Sequence, residues 1–458
     1  MKTPFPAALL LTLIFATGFC SASLAAEECG YDPAAPLRFH TDAKFIYDQY
    51  GRTAIMRGVN MPAGYRPEFP YSEQDLDNVE KFGYNLIRLV TAWSNLEPVE
   101  GQFNREHLEA NRRFIRLAAA RGIYTMPDIH QVQWCASHMI PDWMCNERPG
   151  HGILVEAIKK ESDRFWNSPD LQAKLVRVWE FLATEYRDEP GVFAYDILNE
   201  PFSYDAISYG SFEKCCLYPF YKKTIAAIRA ADPRTPIALE PPPLNVLLPA
   251  YTEDFGSGNL IWAPHAYYPH SYGPGGYSVD KEETPADARA KYKRFAREAT
   301  GMGAPLLIGE FGMCGWDRYP FMPPWLEENM KMQERLLASS AVWDYGRAAH
   351  GWGILNTEGA PNPDLAAVLH RPYPRYTAGT PEKLAFDPER KTFRYRYTAD
   401  PGICAPTEIY LPPELFGGGP HILVQAQCGA AWVYDRDRKT LLIPSGCAGA
   451  VEVSATAP

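Results

Sequence analysis

The chain has 458 residues, 46% of them hydrophobic and 13% aromatic, with a formal charge of −10. That length exceeds one ordinary domain and suits a barrel of roughly 250–350 residues with a smaller partner. The acidic balance excludes nucleic acid and anionic membrane as main partners, since both reward basic patches.

The chain opens with Lys2, an apolar run from Ala7 to Phe19 and small residues ending Ser23-Leu24-Ala25. This is the pattern of a signal peptide over residues 1–26, and it predicts a soluble mature protein that is secreted or periplasmic. The apolar run is shorter than the ~20 residues that span a bilayer. Loss of Cys20 with the signal leaves nine cysteines, and an oxidising compartment favours disulfides. Cys135 with Cys145 suits a loop staple, and two of Cys404, Cys428 and Cys447 could lock the C-terminal part. Cys215 and Cys216 are adjacent and no C-x-x-C spacing occurs, so no zinc or other metal site is expected.

From Ala54 to Asp344, short apolar β-like runs alternate with helical patterns, which predicts an α/β fold, a (β/α)8 TIM barrel, over residues 35–370. The eight strand candidates are Ala54–Asn60, Asn85–Val90, Ile123–Asp128, Val192–Asn199, Pro236–Glu240, Leu260–His265, Pro305–Glu310 and Ala341–Asp344. Ser72 with Asp75 three residues on reads as a helix start, and Gly83 as its end. Leu171, Leu175, Val178 and Leu182 recur at helical spacing, one face against a sheet. Past residue 365 the helical period disappears. Pro and Gly over 370–381 read as a linker, and Thr392–Tyr397, Glu408–Leu411, His421–Gln425 and Thr440–Ile443 as strands of a C-terminal antiparallel β-sandwich over 380–458.

Barrel active sites lie at the C-terminal ends of the strands, so polar residues closing an apolar run are the first candidates. Asn199-Glu200-Pro201 closes the fourth run and Gly309-Glu310-Phe311 the seventh, on facing walls. A pair of carboxyls suits glycosidic cleavage, in which one group protonates the leaving oxygen while the other attacks the anomeric carbon. Two close acids cannot easily both be charged, so their proton affinities should separate. Asn199 is placed for a sugar hydroxyl, and Gly309 for close approach of substrate to Glu310. Arg88, Asp128, His130, His265, Tyr267 and Trp343 sit at other strand ends. Arg and Tyr favour an ionised nucleophile; the His and Trp side chains offer hydroxyl contacts and a flat face for a sugar ring.

These residues resemble glycoside hydrolase family five, which carries Arg on the second strand, His on the third, Asn-Glu-Pro on the fourth, His-x-Tyr on the sixth, Glu on the seventh and Trp on the eighth. Within it the chain is most similar to the endoglycosylceramidases, on Arg57-Gly58-Val59-Asn60, Tyr195 to Phe202, Pro264 to Tyr267, Ile308 to Gly312, Arg371 to Arg375, Ala378 to Pro381 and Ala405 to Pro412. The resemblance implies Glu200 as acid/base, Glu310 as nucleophile, and Arg88, His130, Asn199, His265, Tyr267 and Trp343 as their partners around the substrate; Asp128, by its strand-end position, is a further substrate-binding candidate. It implies hydrolysis of a glycolipid between glycan and ceramide, without cofactor, by a monomer that touches a lipid micelle or membrane surface transiently. One position departs: Val132 stands where that branch carries an Asp after His-Gln. The departure leaves the chemistry and opens the substrate, so a simple glucoside, a sterol glucoside or a β-glucan is the alternative; a carbohydrate-binding protein without catalysis is a remoter one. The Met61 to Tyr71 segment and the Trp134 to Trp143 loop are the candidate apolar strip for a lipid.

Overall fold

The computed structural model describes residues 30–65, 68–148, 156–205, 210–267, 283–312, 322–347, 352–429 and 431–458. The expected signal peptide lies outside them. The chain packs as two compact units: one holds Pro36–Ile46 and Met56–His370, the other Tyr47–Ile55 and Arg371–Pro458 together with the residues up to Ala35.

The first unit is the barrel. Its parallel strands are β1 (Arg57–Met61), β2 (Leu86–Thr91), β3 (Tyr124–Ile129), β4 (Tyr195–Asp196), β5 (Ile237–Leu239), β6 (Leu260–Trp262 and His265–Tyr267), β7 (Leu307–Gly312) and β8 (Ser339–Val342). Each is buried along its length, as expected where helices cover the outside and side chains fill the inside. The strands neighbour one another in chain order, and β8 pairs back onto β1 through Val342 and Val59, which closes the cylinder. β6 breaks at Pro264, which cannot donate to the ladder: its first half pairs β5 and its second half β7. β4 is much shorter than the eight residues expected, because the chain turns into the barrel mouth after Asp196.

Helix Glu73–Lys81 begins as expected, with the Ser72 amide donating to Asp75 Oδ2 at 2.8 Å, and ends at Gly83 with φ of 74°. In helix Pro169–Tyr186, Leu175, Val178 and Leu182 are buried.

The second unit is antiparallel. β9 (Tyr373–Thr377), β12 (Thr407–Tyr410), β15 (Thr440–Ile443) and β14 (Val433–Asp435) lie in one sheet, with Thr53–Ala54 next to β9; β10 (Gly379–Asp387), β11 (Thr392–Ala399), β16 (Gly449–Thr456) and β13 (His421–Ala426) form the other. Alternate burial along β11 puts Phe393, Tyr395 and Tyr397 inside, and Tyr395 Oη lies 2.7 Å from Thr377 Oγ1. Two expectations are corrected here. The supposed linker at 370–381 is strand: Pro374 and Pro381 both fall at shifts of strand register, the places where a sheet tolerates proline. Ala54 pairs with Tyr376 and so starts no barrel strand. Just before it, buried Arg52 bonds Asp48 Oδ2 at 2.7 Å and Glu408 Oε1 at 2.6 Å, with its guanidinium over the Tyr376 ring.

Disulfides join Cys135 to Cys145 and Cys428 to Cys447, and also the adjacent Cys215 and Cys216.

Candidate active site

At the mouth of the barrel the strand ends converge on Arg88. This guanidinium, fully buried, lies within 3.0 Å of four carboxylates: Asp128, Asp196, Glu240 and Glu310. It also donates to Asn60 Oδ1 at 2.9 Å and to Asn199 Oδ1 at 3.1 Å. One guanidinium serves four buried carboxyl groups, so acidic groups outnumber it. Burial pushes the Asp128 carboxyl up to about 7 and that of Glu240 up to about 8 despite Arg88 and His265. The grouping of Asp128, Asp196 and Glu240, which could otherwise suggest a cation site, is built around the guanidinium.

Glu310, on β7, has one carboxylate oxygen on Arg88 Nη1 at 2.7 Å and the other on the Tyr267 hydroxyl at 2.5 Å. Glu200 follows β4 with φ of 42°, a left-handed backbone that costs a non-glycine residue about 1–3 kcal/mol and must be held from outside. Its amide donates to Glu240 Oε2 at 2.7 Å and its carbonyl accepts from Gln131 Nε2 at 2.8 Å. Its carboxylate meets His265 Nδ1 at 2.9 Å, and the same nitrogen lies 3.5 Å from Glu310. Oxygens of Glu200 and Glu310 thus come within 4.8 Å of each other, with His265 between them.

The proton affinities differ from the expected pattern. Burial pushes Glu200 up, but the hydrogen bond and charge of His265, with His130 and Arg88, outweigh it and leave the carboxyl below its ordinary value. Burial lowers His265, yet Glu240 and Glu310 raise it far more. The proton of this pair therefore rests on the imidazole, one hydrogen bond from Glu200, and the two groups titrate together. His130 is held neutral, its pKa driven to about 3 by burial.

All nine expected residues gather at this mouth, though two of them, Asp128 and Asn199, and the neighbouring Gly309 do something other than expected. Asp128 has no access to a ligand: it is buried, and its Oδ2 lies 2.6 Å from His130 Nδ1. It orients the imidazole, which stacks on Trp343 at 5.3 Å. Asn199 spends its amide inside the protein, on Arg88 and on the Gln131 carbonyl. Gly309 makes room for a side chain: a Cβ there would lie 3.1 Å from His265 Nε2. Glu240 was missed although it ends its strand candidate by the same rule that found Glu200. Asp344 was missed too; burial and then the charge of Glu310 push its carboxyl up to about 7, and its Oδ1 is buried without a partner.

Glu200 also forms the edge of an apolar cavity of about 460 Å³, walled by Val132, Trp166, Phe202, Tyr204, Leu244 and Leu247. Of the aromatic strip expected at Met61 to Tyr71 and Trp134 to Trp143, Trp134 lines this cavity though it is 3% exposed, while Phe69 and Tyr71 lie against Phe114. Only Tyr65 of that group is exposed, at 53%.

A closed barrel with Glu200 and Glu310 paired at its C-terminal mouth is the arrangement a glycoside hydrolase needs. Residues 47–348 match the cellulase family, glycosyl hydrolase family 5, and residues 371–453 match the glycoside hydrolase family 5 C-terminal domain. The chain belongs to glycoside hydrolase family 5. Endoglycoceramidase I of Rhodococcus hoagii is 26% identical over 426 residues, covering 83% of this chain and 81% of that protein. The solved lactosyl-enzyme intermediate of endo-glycoceramidase II from Rhodococcus sp. is 25% identical with a TM-score of 0.79, covering 91% of this chain and 100% of that one. The ganglioside GM3 complex of that enzyme shares the fold at a TM-score of 0.80, with 24% identity over 91% of this chain and 99% of that one.

Proposed function

We propose that this enzyme cuts the β-glycosidic bond between a glycan and an apolar aglycone of the ceramide kind, with retention of configuration. Glu310 attacks the anomeric carbon as Glu200 hands the departing oxygen a proton that His265 Nδ1 passes to it across their hydrogen bond; Glu200 then deprotonates the water that displaces Glu310, and that proton returns to the imidazole. Oxygens of the two carboxylates within 4.8 Å of each other favour this route, because retaining pairs sit about 5–5.5 Å apart whereas inverting pairs leave room for water. The observation that carries the substrate class is the position of Glu200 on the edge of the apolar cavity. A group that protonates the leaving oxygen faces the leaving group, so the aglycone occupies that cavity. The sequence kinship with endoglycoceramidases supports the same reading.

Leu247 and Leu248, 55% and 50% exposed, continue the cavity wall outward and suit transient contact with a micelle or membrane holding the lipid. We further propose that the protein works as a monomer outside the cytoplasm, a reading that the disulfides among the described residues support.

The test is mass analysis of what the enzyme releases from ceramides bearing one, two or more β-linked sugars, beside sterol glucoside and β-glucan. Release of intact glycan and free ceramide is expected. Brisk glucan hydrolysis with every ceramide glycoside untouched would refute the lipid reading, and recovery of the protein from the cytoplasm of its host would refute export.

A further inference from the structure

Glu240 is a member of the cage to which this chemistry assigns no task, yet it touches the acid/base by two routes. It stands just past β5, 1% exposed. Oε1 receives Arg88 Nη2 at 2.7 Å, which fixes the carboxylate to the most buried cation of the barrel. Oε2 receives the Glu200 amide at 2.7 Å and lies 3.3 Å from Nε2 of His265, whose other nitrogen meets the Glu200 carboxylate. Main chain and side chain of Glu200 are therefore both referred to a single carboxylate.

That double hold answers a need of the backbone. Glu200 is in the left-handed region, where a side-chain-bearing residue stays only if its surroundings fix it. Gln131 takes the carbonyl and Glu240 takes the amide. A relaxed Glu200 would swing its carboxyl away from His265 and from the leaving oxygen, and a displacement of about 1 Å in a reacting group is enough to cost about 100-fold in rate.

We infer that Glu240 is a positioning residue for proton transfer: by gripping the Glu200 amide and facing the His265 ring, it keeps the Glu200 carboxyl on the line between the imidazole and the leaving oxygen. The inference rests on the reading of Glu200 as acid/base. Glutamine at 240 keeps only one of the two oxygens: Arg88 Nη2 donates to Oε1 and the Glu200 amide to Oε2, so the NH2 group of glutamine must face one of these donors and cannot accept from it.

The experiment compares kcat/KM for two aryl β-lactosides, one leaving as 2,4-dinitrophenolate, which needs no proton, and one leaving as phenolate, which does. Glu240→Gln, Glu240→Asp and Glu200→Gln are measured beside the parent, each checked for unchanged circular dichroism. Glu240→Gln is expected to lose about 100-fold on the phenyl lactoside and no more than about 3-fold on the dinitrophenyl one, and Glu240→Asp to lose less, in the same substrate-dependent way. Equal losses on both substrates in the Glu240 variants, or no loss on either, would overturn the inference while Glu200→Gln still shows the asymmetry. If Glu200→Gln itself loses equally on both, the acid/base reading fails and this inference with it. Should Glu240→Gln fail to fold, the asymmetry in Glu240→Asp decides.

Discussion

Two neighbouring regions meet at Glu200 and are built on opposite principles. On one side the Arg88 cage is charged and buried, and its carboxylates, amides and guanidinium are fixed to one another. On the other, the 460 Å³ cavity is walled by carbon, with polar groups mainly at its edge. Fixed dipoles act on charge that develops in a reaction, and are worth most where water is excluded. An apolar wall acts on area, and each buried methylene adds only about 0.8 kcal/mol. The cage can therefore set the rate and the cavity can only grade substrates. Damage to the first should be large for every substrate, and damage to the second small and confined to lipids.

Substitution in the cage should show this most strongly. Glu310→Ala is expected to lower turnover of an aryl β-glycoside by at least about 10⁴-fold with every leaving group; a rate equal to that of the parent would remove Glu310 from the chemistry. Arg88→Met strands four carboxylates without their cation, and an uncompensated buried charge costs about 3–5 kcal/mol. Its urea midpoint should fall accordingly, and activity should vanish along with it.

Across the boundary the effects shrink. Leu244→Asn makes one wall of the cavity polar, and KM for a ceramide glycoside should rise about 10-fold while kcat/KM for a small aryl lactoside stays within about 2-fold. An equal change for both would break the division of labour. The smallest effect is one of pH. Asp344 has a folded pKa of about 7, above its unfolded value, so the native state binds the extra proton and stability falls as pH rises from about 4 through 7. Asp344→Asn removes that penalty. The thermal midpoint of the variant should exceed that of the parent at pH 8, and the gap should close toward pH 4.

The same division explains what could be read from the sequence. The barrel strands are apolar runs that end in polar residues, a pattern that depends on local order alone, and it located the carboxylate pair and every expected partner. Roles were harder. Asp128 and Asn199 carry the right chemistry but face Arg88 and one another's neighbours, and orientation inside a cage is a property of packing in three dimensions. Gly309 signalled a close approach, though not by whom. The cavity was least legible. Its wall is drawn from residues as far apart as Val132, Trp166, Phe202 and Leu244; Val132 and Trp134 stand out in their own segment, but nothing local joins them to Trp166 or Leu244, and Phe69 and Tyr71, which also stand out, lie against Phe114. In the C-terminal unit, prolines 374 and 381 imitated a linker because a strand bulge and a loop offer proline the same missing partner.

The segment Tyr47–Ile55 carries one more consequence. Arg52 is fully buried, and its partner Glu408 lies 356 residues further along the chain. At synthesis rates of about 5–20 residues per second, Arg52 leaves the ribosome about 20–70 s before the carboxylate that will receive it. The whole barrel is translated in that interval. The β-rich unit can close only when β12 to β16 arrive, and a chain cut short before residue 408 leaves the Arg52 guanidinium with Asp48 alone of its two carboxylate partners.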